Sequence, residues 1–206
     1  SPLIEIKSVC YSKKIYLKKF DLLIFTSKNG LRFFEGKKFL NTLTFTVGDG
    51  TYNEAKKFGY KKIENSDGNI LDLINLITKK FQRKKIDVLH PTTNYIREEL
   101  RSYFIKNNCN YLPFPVYCSE KIKKNKTTIK KFLTENNGIV TLFSPKTASC
   151  FLEIISELSL EKYCTNQILI TLSSSINKEV ENLNFKKVLF TNKPNQGSLL
   201  KIINNL

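Results

Sequence analysis

The sequence predicts an α/β protein built on parallel sheets, and three observations carry that prediction. A unit in which an apolar strand runs into a hydroxyl-rich loop and then a helix occurs twice, at Leu22–Gly30 and at Ile139–Thr147. Strand and helix patterns alternate along almost the whole chain, as parallel sheets require. A proline-containing stretch, Leu112-Pro113-Phe114-Pro115-Val116-Tyr117-Cys118, splits the alternation into two runs.

Leu3–Val9 alternates weakly and reads as a strand with Pro2 before it. Leu22–Phe25 is continuously apolar, the pattern of a strand buried on both faces. Leu31–Leu40 reads as a short helix, Leu43–Val47 as a strand, and Thr51–Phe58 as a helix stopped by Gly59. Tyr60–Ile63 reads as a short strand. Leu71, Ile74 and Ile77 give Ile70–Lys80 helical spacing, and Ile86–Leu89 is the next strand. Ile96, Leu100 and Phe104 place a helix at Tyr95–Lys106. Asn94 suits its N-cap, Glu98 and Glu99 its first turn, and Asn108 a left-handed stop. Pro113 and Pro115 exclude a central strand and point to an edge strand or a hinge, with Leu3–Val9 pairing beside it.

A basic run, Lys121 to Lys126, then leads to a helix at Thr128–Leu133. The second run repeats the order of the first. A strand at 139–143 precedes a helix carrying Ala148, Phe151, Leu152, Ile155 and Leu158. A strand at 167–172, a helix at 176–183, a strand at Lys187–Phe190 and a helix from about Ser198 to Ile203 follow.

Composition narrows the partners. Of 206 residues, 41% are hydrophobic, enough for one large core or two small ones. A net charge of +16 favours an anionic partner: nucleic acid, an acidic membrane surface or a small polyanion. Many of the lysines also read as plain solvated faces. The five cysteines, Cys10, Cys109, Cys118, Cys150 and Cys164, are odd in number and lack CxxC spacing. That pattern argues against a zinc site or a disulfide framework and suits a reducing cytoplasm. No apolar run reaches membrane-spanning length and no secretory signal is present. The chain has no methionine, which points to a start inside a longer gene product.

The loops that open the helices are the chemical feature. Helix N-termini carry free N–H groups and partial positive charge, so several together, dressed with hydroxyls, form a receptor for anions. Thr26, Ser27, Lys28 and Asn29 make one such loop, Gly48 and Thr51 a second, Ser144 and Lys146 a third, and Ser174 and Ser175 a fourth. The hydroxyl and amide residues also read as ordinary N-caps, and the two lysines as surface lysines; both roles are compatible. His90, the only histidine, ends a strand and reads as structural rather than as a general base. Arg97 starts a helix, where it faces a ligand or pairs with acidic neighbours. A nucleic-acid binder and a phosphate-binding flavodoxin-like domain are rival classes. No RRM-like, helix-turn-helix or extended glycine fingerprint supports either.

Phe25-Thr26-Ser27-x-Asn29-Gly30-Leu31 resembles the FTS-x-N-x-V element of uroporphyrinogen-III synthases. Val47-Gly48-x-x-Thr51 with Gly59 is similar to that family's VG-x-x-T…G turn and helix. Arg97-x-x-Leu100, Val116-Tyr117, Phe143-Ser144-Pro145 and Pro2-Leu3-Ile4 resemble its R-x-x-L, VY, F-x-SP and P-L-I segments, in the family's order. Two departures stand out. The family's opening strand and helix have no counterpart here, and its last G-x-x-T has become Leu172-Ser173-Ser174-Ser175.

The resemblance implies two parallel-sheet α/β domains joined by a two-stranded linker, with an active-site cleft between them. The first domain would span residues 10–112 and the second 120–206, the latter short of about two elements. Residues 2–9 and 113–119 would form the linker. It implies a cofactor-free, metal-free cyclisation of hydroxymethylbilane, with loss of water and inversion of ring D, in heme biosynthesis. The enzyme would be a cytoplasmic monomer that meets porphobilinogen deaminase transiently and binds neither nucleic acid nor membrane. A substrate with eight carboxylates suits a basic chain with open helix ends. Tyr117, at the family's tyrosine, would donate a hydrogen bond to the departing hydroxyl; without the resemblance it reads as a linker tyrosine. A degenerate synthase that only binds polyanions is the alternative.

Overall fold

A computed structural model describes residues 2–66, 69–82, 84–122, 125–192 and 196–206. Lys123 and Lys124 of the basic run lie outside the described residues. The chain divides into two compact units. The central unit is Ile6–Ser119; the terminal unit joins Ser1–Glu5 to Glu120–Leu206. Strands β1 (Ile4–Ser8) and β7 (Tyr117–Lys121) carry the chain across the boundary and pair with each other.

In the central unit the strands are β2 (Leu22–Phe25), β3 (Leu43–Val47), β4 (Ile63–Ser66), β5 (Asp87–Thr92) and β6 (Asn110–Pro115). They form one parallel sheet in the order β4-β3-β2-β5-β6. β2 is the pivot: the chain winds outward from it to one edge, returns, and winds to the other. Its four residues are fully buried. Alternation sends Leu23 and Phe25 into a core with Leu31, Phe34 and Ala55, and Leu22 and Ile24 into one with Leu73, Leu100 and Phe104. Each such side chain contributes about 1.5–3 kcal/mol of burial free energy, so this strand fixes the sheet.

Helices α1 (Lys28–Phe33) and α2 (Asp49–Lys57) supply the first core; α3 (Ile70–Phe81) and α4 (Glu98–Lys106) supply the second. Asn69 and Asp72 form a reciprocal capping box at α3, and Gln82 closes that helix in the left-handed conformation. Gly59, at φ 89°, ends α2, and Asn108, at φ 52°, follows the C-cap of α4.

Several local expectations shift. The helix expected over Leu31–Leu40 starts earlier, because Ser27 caps it, and stops at Phe33. A separate 3-10 turn covers Gly36–Phe39. There a Cβ on Gly36 would lie 2.0 Å from the Tyr60 hydroxyl. The strand expected at Tyr60–Ile63 falls at Ile63–Ser66, since Tyr60 N–H and Lys61 N–H bond to Ala55 and Leu40 carbonyls instead of a ladder. α4 begins at Glu98 rather than Tyr95, and Asn94 is not its cap: Thr93 Oγ1 accepts from Tyr95 N–H and holds a turn, leaving extended Arg97 at the N-cap position. The proline stretch divides in two. Its first part joins the sheet as edge strand β6, and only the residues from Tyr117 on pair with β1.

In the terminal unit β8 (Ile139–Leu142), β9 (Ile168–Thr171) and β10 (Lys187–Phe190) form a parallel sheet ordered β10-β9-β8. Helices α5 (Lys126–Glu135), α6 (Pro145–Glu157), α7 (Ser174–Lys178) and α8 (Gln196–Asn204) accompany it. The helix expected at 176–183 is shorter and begins earlier. Its remainder continues as i→i+3 turns that still bury Val180 and Leu183. Gln167 is fully buried: its side chain accepts from Gly138 N–H at 2.8 Å and donates to the Asn136 carbonyl at 2.6 Å. It thereby ties the end of α5 to the sheet.

Candidate active site

The order β4-β3-β2-β5-β6 reverses direction between β2 and β5, and in open parallel sheets ligands bind beyond the carboxyl ends of the strands at such a reversal. Here the two strands pair only at Leu22–Val88 and Leu23–Leu89, while β5 pairs with β6 over all six of its residues. Above that short ladder a pocket of about 510 Å³ opens. Thr26, Val47, Ile70, His90, Arg97 and Tyr117 are among its walls.

α1 approaches this end of the sheet closely because Gly30 has no side chain. A Cβ there would lie 2.6 Å from the Pro91 carbonyl oxygen and 3.2 Å from the Phe25 ring. That approach brings the loop before α1 against β5. Ser27 Oγ accepts from Asn29 N–H at 3.1 Å and from Gly30 N–H at 3.4 Å, so Ser27 is a true N-cap. The same oxygen lies 3.0 Å from the Tyr117 hydroxyl. Either hydroxyl can donate in this contact; the polarity in which Ser27 donates satisfies its cap and leaves the Tyr117 proton for the pocket. Tyr117 is only 8% exposed and stacks on Phe33. Burial raises its pKa more than the Ser27 hydrogen bond lowers it, so it stays protonated at neutral pH.

Thr26 Oγ1 lies 3.1 Å from His90 Nε2, and His90 Nδ1 lies 2.7 Å from the Tyr111 hydroxyl. His90 is 3% exposed, and burial pushes its pKa down to about 3. It is therefore neutral under ordinary conditions and no proton acceptor for bulk chemistry. Arg97 is exposed on the pocket wall, and among the described residues no ion pair engages it. Sequence reasoning did not place it in the site; the Arg97-x-x-Leu100 motif was the available signal.

The other residues expected at the site are distributed as follows. Lys28 is exposed and crosses the first turn of α2, where a Cβ on Gly50 would lie 2.7 Å from its Cε. Asn29 is half-buried at the start of α1. Gly48, at φ 78°, is the N-cap of α2, and Thr51 is buried within the first turn. That helix end already carries a charge of its own, since Asp49 sits in the first turn and accepts from Asn65.

In the terminal unit, Ser144 caps α6 by accepting from Thr147 N–H at 3.2 Å, and Lys146 is exposed in the first turn. Ser174 and Ser175 are exposed at the start of α7, where the Ser173 and Ser175 hydroxyls are 2.9 Å apart. Both loops lie beyond the carboxyl ends of adjacent parallel strands, β8 and β9. A second recess in this unit, about 560 Å³, is walled by Leu3, Ile129, Phe132, Val140 and Phe151. Thr128, Thr141 and Thr147 are the polar residues of this mostly apolar recess.

Among the described residues no group of three or more His, Cys, Asp or Glu is placed to hold a metal ion. No helix there is long and apolar enough to cross a membrane.

A family model described as uroporphyrinogen-III synthase HemD matches residues 1–201. None of the curated proteins compared with the sequence matches it. Among solved structures, uroporphyrinogen-III synthetase from Helicobacter pylori is similar, with TM-score 0.70 and 15% identity over 98% of this chain and 90% of that one. A mutant uroporphyrinogen III synthase from the extremely thermophilic bacterium Thermus thermophilus is similar with TM-score 0.61 and 12% identity, over 99% of this chain and 86% of that one.

Proposed function

We propose that this chain, which belongs to the uroporphyrinogen-III synthase family, works through the switch-point pocket of its central unit, with Tyr117 as hydrogen-bond donor to the departing hydroxyl. The family's reaction is the premise. The chain is a cyclising lyase of porphyrin biosynthesis that closes hydroxymethylbilane to uroporphyrinogen III with loss of water and inversion of ring D. The match favours this over a polyanion-binding module.

The observation that carries the assignment of Tyr117 is its place: its hydroxyl stands in the pocket wall 3.0 Å from Ser27 Oγ, an oxygen already approached by two backbone N–H groups. In the polarity that satisfies the cap of α1, the tyrosine accepts from Ser27 and keeps its own proton for a ligand. As the C–O bond of the substrate breaks, that O–H stabilises the oxygen leaving with the electron pair; the hydroxide takes a proton from solvent and departs as water, and the closed ring returns one proton when its pyrrole regains aromaticity. The cation left behind closes on itself readily. What the protein must add is a fold of the chain that brings its free carbon to the substituted carbon of ring D. Carboxylate anchors supply that fold. Thr26, Lys28, Asn29 and Arg97 are assigned as anchors in the central unit; Gly48 and Thr51, whose N–H groups bond to the Ser66 and Gly48 carbonyls, are assigned to shaping the loop beside them. Ser144, Lys146, Ser174 and Ser175 are assigned as anchors in the terminal unit.

The enzyme works as a cytoplasmic monomer on this reading. It takes hydroxymethylbilane from porphobilinogen deaminase in a transient encounter, because substrate left in water closes to the unrearranged ring. Arg97→Gln tests the pocket. Steady-state kinetics should show kcat/KM reduced about three- to tenfold, the worth of one solvent-exposed charged contact. Unchanged kinetics would move substrate binding away from this pocket.

A further inference from the structure

His90 is almost fully buried, yet both of its ring nitrogens are engaged by residues far away in the chain. Nδ1 lies 2.7 Å from the Tyr111 hydroxyl on β6, and Nε2 lies 3.1 Å from Thr26 Oγ1 after β2. A neutral imidazole has one donor and one acceptor, so this chain of three groups has only two polarities. In the first, Tyr111 donates to Nδ1, Nε2–H donates to Thr26, and the Thr26 proton is free. In the second, Thr26 donates to Nε2, Nδ1–H donates to Tyr111, and the tyrosine proton must go elsewhere.

The first polarity is favoured on two grounds. Among the described residues the Tyr111 hydroxyl has no other hydrogen-bond partner, so the second polarity gives its proton to solvent alone at a half-buried ring, while the first gives it to a buried acceptor. A phenol is also the strongest donor of the three groups and a bare imidazole nitrogen the strongest acceptor. The two lengths agree, with the short bond at tyrosine and the longer N–H···O bond at threonine. The burial that keeps His90 neutral, with its pKa near 3, prevents an imidazolium from satisfying both neighbours at once.

We propose that His90 is a positioning residue: held by Tyr111 as the Nε2–H tautomer, it turns the Thr26 hydroxyl proton into the pocket, where it meets a carboxylate of the substrate. The opposite polarity would present only lone pairs to that carboxylate. This rests on the reading of the pocket as a substrate site, and the tests separate the two.

The chain has a single histidine, so ¹⁵N NMR of the labelled full chain without substrate reads its tautomer directly. The expected result at pH 7 is a protonated Nε2 and a bare Nδ1. A protonated Nδ1 overturns the proposal at the hydrogen-bond chain, whatever the substrate does. Thr26→Val, a near-isosteric change, should raise KM about tenfold with the effect falling on KM rather than kcat. A protonated Nε2 with KM unchanged in Thr26→Val overturns the proposal at the pocket. Tyr111→Phe keeps the ring stack on Phe104 and removes only the donor. It should make the tautomers mix and raise KM several-fold alone, but add nothing in the Thr26→Val background. An equal added effect in that background would make Tyr111 a merely structural residue and refute the chain. His90→Gln, whose amide can replace Nε2–H, should restore KM toward the parent value where His90→Leu does not; equal loss in both counts against the proposal.

Discussion

Replacing Tyr117 by Phe removes one oxygen atom and little else, which makes its consequences calculable. The ring remains stacked on Phe33, with centroids 6.0 Å apart, and the site is only 8% exposed, so packing is kept. What is lost inside the protein is the bond to Ser27 at 3.0 Å. Ser27 goes on capping α1, and its proton loses an acceptor. The cost of one such neutral hydrogen bond is about 1 kcal/mol. For a unit of this size that lowers Tm by roughly 4 °C. Turnover should suffer far more. A positioned proton donor is worth about a hundredfold at the low end of its range, and the readiness of this substrate to ionise argues for the low end. A hundredfold corresponds to about 2.7 kcal/mol of transition-state stabilisation, well above the folding cost. Single-turnover formation of the isomer III product, with a thermal melt on the same sample, separates the two quantities. A variant that melts a few degrees lower and still turns over at the parent rate would show that Tyr117 packs and caps without taking part in the reaction.

Three further predictions concern the frame of the site. His90 has a folded pKa near 3 against about 6.5 unfolded, so below pH 6.5 the unfolded chain binds a proton that the folded chain refuses. Stability present at pH 7 is therefore lost as pH falls, and between pH 7 and 5 the parent should lose about 2 kcal/mol more than His90→Gln in urea melts; parallel losses would mean the imidazole is not buried neutral. Gly30→Ala drives a Cβ to 2.6 Å from the Pro91 carbonyl and should cost about 2–3 kcal/mol, against about 1 kcal/mol for Gly48→Ala, which meets no atom within 4 Å but holds φ 78°. Chemical denaturation that ranks them the other way would refute the close approach of α1 to β5. Gln167→Leu strands Gly138 N–H and the Asn136 carbonyl and should cost about 2–4 kcal/mol. Hydrogen exchange should speed up around β8 first, and unchanged protection there would mean that the amide is not the tie.

The strands were legible because burial on both faces leaves a plain mark. Leu22–Phe25 and Ile168–Thr171 are apolar throughout or nearly so, and alternation along Leu43–Val47 needs no partner to be read. Helix starts were less so, because a hydroxyl cap fixes where the first turn begins. Ser27 and Thr93 each moved a boundary by three residues, in opposite directions. The site was least legible. Its two hydrogen-bonded pairs, Thr26 with His90 and Ser27 with Tyr117, join residues 64 and 90 positions apart, and no local period encodes such a meeting. Tyr117 is legible only through the family resemblance, and the sequence leaves Arg97 open because a residue at a helix start can face either way. The capping reading holds at Ser27 and Ser144, but not at Thr51, Ser174 or Ser175: the N-caps of α2 and α7 are Gly48 and Ser173, neither with a side-chain cap.

Purified chain added to hydroxymethylbilane as porphobilinogen deaminase forms it, followed by oxidation and separation of the porphyrin isomers, reads out whether this protein directs ring closure through Tyr117. Isomer III should stand well above the spontaneous background and fall toward isomer I in Tyr117→Phe. Isomer I alone, from chain that binds substrate and melts cooperatively, would contradict directed closure.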